Sequence, residues 1–358
     1  MTPSSLVAPA AIGYSTLQDL GESMYDPVLV EVYRGSSVES RHHGAYAVMG
    51  PRGTLLSSAG DIASPVFPRS AVKAFQALPL IESGAADSLG LSDEEIALLC
   101  SSHNGEEAHV TSARAILRKA GFSEDDLECG AHPPQDTAAF HALIRASEKP
   151  ASIHNNCSGK HAGMLAMAKN LNAAARNYID SDHPVQQSVA RILDELCDVA
   201  TSSLPRGVDG CSVPTWAIPL RNLALGFQRL ASGETLPEKR RLAAERIIAA
   251  VRANPFMVAG SGRFCTELMK SVPRAFVKTG AEGVFCAAIP HAGIGIALKC
   301  EDGARRASEI AIAAVLAGID VWSPEEKASL RQFTAVKLRN WRKFTVGRIA
   351  AADPVPAN

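Results

Sequence analysis

The chain has 358 residues, of which 46% are hydrophobic and 20% charged, and its formal net charge is -1. This balance is typical of a folded globular protein, and without a basic block there is no reason to expect nucleic acid or an anionic membrane as partner. No segment is apolar for long enough to predict a membrane-spanning helix, and residues 1–11 lack a secretory signal pattern. Eight cysteines without such a signal indicate reduced thiols in a cytoplasmic protein.

The first half of the chain begins with strands and continues with helices. Residues 27–34, and the pair 45–49 and 54–58 around a glycine-proline turn, predict antiparallel strands. A helix is predicted to begin just after Pro68, and Ser92 is a predicted N-terminal cap. Apolar spacing predicts further helices at 106–119, 137–148, 160–171, 183–196 and 237–251.

Strand character returns late in the chain. Strands are predicted at 275–278, 283–289, 293–299 and 343–349, with a helix at 304–317. Strands at both ends of a helical middle predict an α/β (α+β) fold, in which an antiparallel sheet carries a large helical insertion. We predict one domain over residues 1–358, with its sheet at about 27–69 and 274–350 and its helical part at about 70–273.

Ser70 and Lys73 form the first candidate catalytic pair. Three residues apart on a helix, they share one face and lie one turn from each other. A serine nucleophile needs this geometry if a lysine is to take its proton, and the amine must be kept neutral by burial or a neighbouring cation. The alternative is an ordinary helix turn with a solvated lysine.

Two later motifs extend this pair. Ser-x-Asn at 102–104 and Lys-Thr-Gly at 278–280 complete, in order, the three-part signature of the penicillin-recognising serine hydrolases, although His103 stands where that signature has aspartate. Ser102 and Lys278 would then form a second pair, and lysines packed together depress one another's pKa, which favours a neutral amine. The alternative for Lys278 is a strand-end lysine that faces solvent. The backbone amide of Ser70 is a candidate oxyanion donor.

Two glycine-bearing loops, 155–161 and 207–214, each contain a cysteine. From composition alone Cys157 and Cys211 are interpreted as structural thiols, because Cys-x-x-Lys is not a usual zinc spacing. His103 and His161 lie beside the motifs and are candidate supporting residues. The remaining cysteines have apolar or helical surroundings and are predicted to lie in the core: Cys100, Cys129, Cys197, Cys265, Cys286 and Cys300.

Together these motifs resemble a known family, the rhizobial-type or class 3 L-asparaginases. The segments that carry the resemblance are 69–73, 101–106, 129–133, 155–164, 183–184, 209–211 and 257–263, together with Lys278. The resemblance spans roughly residues 30–317 with the intervals kept in order, and its most specific part is Asn-Cys-Ser-Gly-Lys-His at 156–161.

The resemblance implies a serine β-lactamase-like fold and the hydrolysis of L-asparagine to L-aspartate and ammonia. It implies two Ser–Lys tandems, in which Ser70 pairs with Lys73 and Ser102 pairs with Lys278. It also implies a homodimer. Zinc would be held by Cys157, Lys160 and Cys211, and would serve to position substrate more than to perform the chemistry. The predicted substrate-binding residues are Arg69, His103 and Asp209, of which Asp209 could orient a ligand or water.

The sequence leaves open which serine is the nucleophile and which reaction the protein catalyses. Ser70 is favoured as nucleophile, or as relay to Ser102, because it begins a helix with a base one turn away. A penicillin-recognising peptidase or β-lactamase is the second candidate, but such enzymes act outside the cytoplasm. A catalytically inactive asparagine-binding homologue is the third, and the intact serines and lysines argue against it.

Overall fold

A computed structural model of the chain describes residues 26–352. Its centre is an eight-stranded antiparallel sheet with the order β11-β12-β1-β2-β10-β9-β8, and β3 pairs with β2 beside this path. The strands are β1 (Val28–Arg34), β2 (Ser37–Gly50), β3 (Thr54–Ala59), β4 (Pro65–Val66), β5 (Arg206–Val208), β6 (Pro214–Trp216), β7 (Ile218–Pro219), β8 (Phe276–Thr279), β9 (Val284–Ile289), β10 (Ile294–Cys300), β11 (Ala335–Arg339) and β12 (Thr345–Ala351).

Eleven of the described helices lie between the two groups of strands that build the sheet. The helices are α1 (Lys73–Glu82), α2 (Ala85–Ser88), α3 (Asp93–Leu99), α4 (Glu107–Ala120), α5 (Thr137–Arg145), α6 (Ser158–Asn170), α7 (Pro184–Cys197), α8 (Leu220–Ser232), α9 (Glu238–Ala253), α10 (Pro255–Ala259), α11 (Phe264–Ser271), α12 (Arg305–Gly318) and α13 (Pro324–Arg331). The predicted fold class, a sheet from both chain ends around a helical insertion, is confirmed. That residues 1–358 fold as one domain stays a prediction.

The middle of the sheet is covered on both faces. All six residues of β9 are buried, and because successive side chains of a strand point to opposite faces, neither face is open to solvent. Helices α8 and α12 both pack on β9 and β10. Gly295 lets α8 approach closely, since a Cβ there would lie 2.0 Å from the backbone nitrogen of Gln228. Strand β8, which carries Lys278, pairs with β9 and is also contacted by α11.

The predicted elements agree with the structure in most places. The Ser92 cap is confirmed as a capping box, in which the Ser92 hydroxyl accepts from the Glu95 amide (3.3 Å) and the Glu95 carboxylate accepts from the Ser92 amide (2.7 Å). The sequence patterns missed α2, α8, α10, α11, α13 and β11. They also missed the short strands β4, β5, β6 and β7, which form two-stranded pairs within or at the border of the helical part.

The predicted helix start after Pro68 was wrong in detail. Residues Arg69–Val72 form a 3-10 helix, and the α-helix begins at Lys73. The reason is local, because Arg69 has a left-handed φ of 52°, which an α-helix cannot contain.

No helix within residues 26–352 is both long and apolar enough to cross a membrane. The expectation that residues 1–11 carry no secretory signal falls outside the described part of the chain.

Candidate active site

The hydroxyl of Ser102 lies between two buried lysine amines. Ser102 follows α3 in a buried loop, Lys73 opens α1 and Lys278 lies on β8. The Nζ of Lys278 is 2.8 Å from Ser102 Oγ, and the Nζ of Lys73 is 3.1 Å from the same atom. Both lysines are only 1% exposed, so their amines are held away from bulk water. Three distant segments therefore meet at one serine.

The two lysines differ in their surroundings. Lys73 has three acceptors for its three N–H groups, namely the carbonyl oxygen of Ser101, Ser102 Oγ and Cys157 Sγ, the last at 3.1 Å. This is the environment of an ammonium group. Burial, together with the neighbouring charge of Lys73, lowers the pKa of Lys278 to about 7. Lys278 is thus the amine that is partly neutral near pH 7 and able to accept the Ser102 proton.

Ser70 lies one 3-10 turn before Lys73, where side chains three residues apart eclipse one another. Its side chain is half-buried, and its hydroxyl forms no hydrogen bond with any residue among 26–352. In this structure the Lys73 amine donates to Ser102 and not to Ser70. The pairing of Ser70 with Lys73 stays a prediction, while Lys73, Ser102 and Lys278 are brought into direct contact.

Arg69 and Asp209, two of the predicted substrate-binding residues, are joined to each other. Arg69 donates from Nε (3.0 Å) and Nη2 (2.9 Å) to Oδ1 of Asp209, which also accepts from the Gly210 amide (2.6 Å). Burial alone would raise the pKa of Asp209, but the Arg69 hydrogen bond and the charge of Lys160 bring it below its usual value. Asp209 is therefore a carboxylate whose Oδ2 has no hydrogen-bond partner among residues 26–352, and it remains available to a cationic group of a ligand.

The third predicted substrate-binding residue, His103, is occupied by protein contacts. Its Nδ1 accepts from the Gly105 amide at 3.0 Å, so Nε2 carries the proton of the neutral ring and donates to Ser158 Oγ at 3.0 Å. Burial lowers the pKa of His103 well below its ordinary value, and the ring stacks on His109 with centroids 5.0 Å apart. This geometry supports a role in shaping the loop around Ser102 and does not support direct substrate contact.

Cys157, Lys160 and Cys211 meet beside the lysines. The Nζ of Lys160 is 2.9 Å from Cys211 Sγ, and all three side chains are at most 5% exposed. Hydrogen bonding from the Cys211 thiol, against the cost of burial and aided by the charges of Lys73 and Lys160, lowers the pKa of Cys157 well below its ordinary value. Among residues 26–352 no group of three or more His, Cys, Asp or Glu side chains is arranged to hold a metal, so a metal here would need the Lys160 amine.

The two thiols fit zinc, and three protein ligands would leave a fourth position open. The Lys160 amine fits only after it loses a proton, because, against the cost of burial, the nearby Cys211 and Cys157 raise its pKa above the ordinary value, and it donates to Cys211 in this structure. The prediction from composition alone, that Cys157 and Cys211 are separate structural thiols, does not account for their contact with Lys160.

Asn155 and Arg263 belong to the surroundings of the site, and neither was assigned a role from the sequence. Asn155 donates to the carbonyl oxygens of Cys129 and Gly130, both at 2.9 Å, and accepts from the Cys157 amide at 2.9 Å, which fixes the position of the thiolate. Both residues lie in segments that carry the resemblance, and that position was the only available signal. His161 instead bonds the Tyr178 hydroxyl at 2.7 Å and supports the packing of α6.

Comparison with known proteins places the chain in a family. The L-asparaginase II family matches residues 30–351, which is most of the chain. The chain belongs to the L-asparaginase II family. No curated protein sequence matches it significantly.

Two solved structures show a distant likeness. Mglu in its native form is 16% identical, with a TM-score of 0.42, and the alignment covers 75% of this chain but only 62% of Mglu. A β-lactamase from Mycobacterium bovis is 15% identical, with a TM-score of 0.37, and the alignment covers 81% of this chain and 95% of that one. The chain thus spans less than two thirds of Mglu, and likenesses at these scores carry no argument about activity.

Proposed function

We propose that this protein hydrolyses the side-chain amide of L-asparagine to L-aspartate and ammonia through a serine ester. Membership of the L-asparaginase II family supports the substrate. The observation that carries the chemistry is the Ser102 hydroxyl between two buried lysine amines, with Lys278 at 2.8 Å and Lys73 at 3.1 Å. A serine hydroxyl is a weak nucleophile until an adjacent base takes its proton, and this arrangement supplies both the base and a cation.

The proposed reaction starts with proton transfer from Ser102 Oγ to the neutral Lys278 amine. The resulting alkoxide is stabilised by the Lys73 ammonium and attacks the side-chain amide carbon. The C–N bond then breaks, Lys278 returns the proton to the leaving nitrogen as ammonia departs, and an aspartyl ester remains on the serine. Water, deprotonated by Lys278, cleaves that ester to release L-aspartate and restore the Ser102 hydroxyl.

The second tandem, Ser70 with Lys73, is the alternative site for the ester. Ser70 is more exposed than Ser102 and lies one 3-10 turn from Lys73, so it could carry the ester with Ser102 as its proton relay. We place the ester on Ser102, because Ser102 is the serine whose hydroxyl contacts a near-neutral amine.

The substrate is an amino acid with one positive and one negative end, and the site offers a partner for its ammonium group. Asp209 is charged, its Oδ2 has no hydrogen-bond partner among residues 26–352, and Arg69 fixes its orientation through two hydrogen bonds. In this proposal Asp209 binds the substrate ammonium directly, whereas Arg69 positions Asp209. Specific charged contacts of this kind are worth about 1.5–3 kcal/mol each.

Zinc is part of the proposal, held by Cys157, Lys160 and Cys211. When bound, it would supply Lewis-acid polarisation of a substrate oxygen and a fixed point for orienting the substrate. The residues around it support binding, since Asn155 fixes the Cys157 loop and burial excludes water from the thiolate. We further propose a cytoplasmic homodimer, and light scattering of the purified protein at micromolar concentration tests the dimer.

Ammonia release from L-asparagine by wild type, Ser102→Ala and Ser70→Ala is the deciding experiment. We expect Ser102→Ala to lose at least about 1,000-fold in kcat. Mass spectrometry of acid-quenched wild type should find the aspartyl ester on the peptide that contains Ser102. An ester on Ser70 would reassign the nucleophile, and near-normal turnover by both variants would refute the serine mechanism.

The same preparations test the other candidate functions. The order of motifs at 70–73, 102–104 and 278–280 favours a penicillin-recognising hydrolase as second candidate. Hydrolysis of a chromogenic cephalosporin without ammonia release from asparagine would establish that function instead. Saturable asparagine binding without turnover of either compound would indicate an inactive binding protein.

A further inference from the structure

Arg263 is a half-buried cation beside Ser102 that forms no ion pair with any acid among residues 26–352. It immediately precedes α11 and donates from one nitrogen, Nη1, to Asn104 Oδ1 (2.7 Å), Gln135 Oε1 (2.9 Å) and the carbonyl oxygen of Ser102 (3.5 Å). Its Nε and Nη2 atoms have no partner within the described residues. Two donors of a charged group are therefore unused at the site.

The surroundings of Arg263 do not supply an anion. Burial lowers its pKa, but a guanidinium remains protonated in proteins. Glu309 lies close enough to act on Arg263 electrostatically, yet it is paired with Arg305 at 3.5 Å. Its Nε and Nη2 atoms are not among the fully buried atoms that lack a partner in the described chain, so they are accessible to an anion from outside.

The position of Arg263 points to the substrate as the source of that anion. Arg263 reaches from the backbone carbonyl oxygen of the buried Ser102 to the exposed Gln135, so its guanidinium extends from the Ser102 loop toward solvent. Its charge contributes to the lowered pKa of Lys278, so it acts on the interior of the site. Arg69, the other arginine of the site, is already neutralised by Asp209 and needs no further anion.

We propose that Arg263 binds the α-carboxylate of the substrate through Nε and Nη2, and so selects free α-amino acids. The inference rests on the proposed function, since it places asparagine at Ser102. A guanidinium pairs with a carboxylate through two parallel hydrogen bonds, and two adjacent free donors match that geometry. Substrates whose α-carboxyl is amidated or in a peptide bond would leave Arg263 without its anion and are disfavoured.

The test compares L-asparagine with L-aspartic acid diamide, which lacks the α-carboxylate, in wild type, Arg263→Gln and Arg263→Lys. We expect kcat/KM for L-asparagine to fall about 10- to 100-fold in Arg263→Gln, with little change for the diamide, and the lysine variant to recover part of the loss. Because both substrates are measured on one preparation, their ratio does not depend on the folded fraction. Arg252→Gln is the matched control, since Arg252 likewise has no ion pair among the described residues and donates to the Pro273 carbonyl oxygen.

A role of Arg263 confined to holding the loop predicts a different result. Both substrates would then slow by the same factor, and an unchanged ratio overturns the assignment. If wild type releases no ammonia, binding of L-asparagine, whose only carboxylate is the α-carboxylate, separates the inference from the proposed function by titration calorimetry. Binding to wild type at least 10-fold tighter than to Arg263→Gln then means that the hydrolase proposal fails and the carboxylate site stands. Equal binding by the two proteins refutes the carboxylate site.

Discussion

Replacing Lys278 with methionine tests the chemistry and the energetics of the site together. Lys278 is 1% exposed, and its pKa falls from the ordinary 10.5 to about 7. At pH 7 an ordinary lysine is neutral in roughly one molecule in three thousand, whereas Lys278 is neutral in about half. The burial that makes it a base also makes it unfavourable for folding. Lys278→Met should therefore lose activity and gain stability.

The stability effect has a defined sign and window. Between pH 7 and 10.5 the unfolded chain binds the Lys278 proton and the folded protein does not, so wild-type stability rises with pH across this window. At pH 7 the burial of Lys278 costs roughly 4 kcal/mol, and this cost levels off at about 5 kcal/mol below about pH 6. Methionine removes the cost but also the hydrogen bonds to Ser102 and Thr279, worth about 1 kcal/mol each. The net gain at pH 7 is about 2 kcal/mol.

Urea unfolding at pH 7 and pH 10 measures the gain in stability. Ammonia release measures the loss of activity, and we expect kcat to fall about 100- to 10,000-fold because the general base is removed. In wild type, kcat/KM should fall tenfold per pH unit below about 7, as Lys278 becomes protonated. Lys270→Met, at a half-exposed lysine, is the control and should change neither property. A Lys278→Met protein that is less stable than wild type at pH 7, or that keeps its turnover, would refute the reasoning.

Two further changes test the metal proposal and the packing behind the site. Cys157→Ala should reduce bound zinc to about a tenth of wild type by elemental analysis, because it removes a sulfur donor. The control Cys300→Ala, at a buried thiol of β10, should leave the zinc content unchanged. Full zinc in Cys157→Ala would remove that residue from the ligand set. Gly295→Ala should lower the free energy of unfolding by about 2–4 kcal/mol in urea, since its methyl would lie 2.0 Å from the Gln228 nitrogen. Gly207→Ala, whose nearest new contact is 3.5 Å away, should cost under about 1 kcal/mol, and equal losses in the two variants would contradict the packing argument.

The general plan of the fold could be predicted from the chain because its signals are local. The period-two and apolar runs of β9 and β10, and the capping box at Ser92, depend on neighbours within a few residues. Short elements such as β5 to β7 could not be predicted, since two or three residues carry too little pattern and are held by pairing across the chain.

Much of the candidate site was also named from the sequence, as residue types in an order that resembles a family. The contacts that these residues make with one another could not be predicted from the sequence. The motif spacing pairs Ser70 with Lys73, but Ser102 follows α3 so that its hydroxyl reaches both lysines, a contact between residues 29 and 176 positions apart. His103 stood beside the motif as a candidate ligand contact, and only the Gly105 and Ser158 hydrogen bonds show that its nitrogens are taken.

By itself the sequence determined which chemical groups the candidate site contains: two serines, the lysines beside them, and the thiols of Cys157 and Cys211. The tertiary structure alone decided their charge and their partners. A lysine is a base only where burial and a neighbouring cation lower its pKa, and Lys278 meets both conditions because β8 and α1 place it beside Lys73. Arg263 is available to an anion for a similar reason, since the fold brings Asp209 to Arg69 and pairs Arg263 with no acid in the described chain.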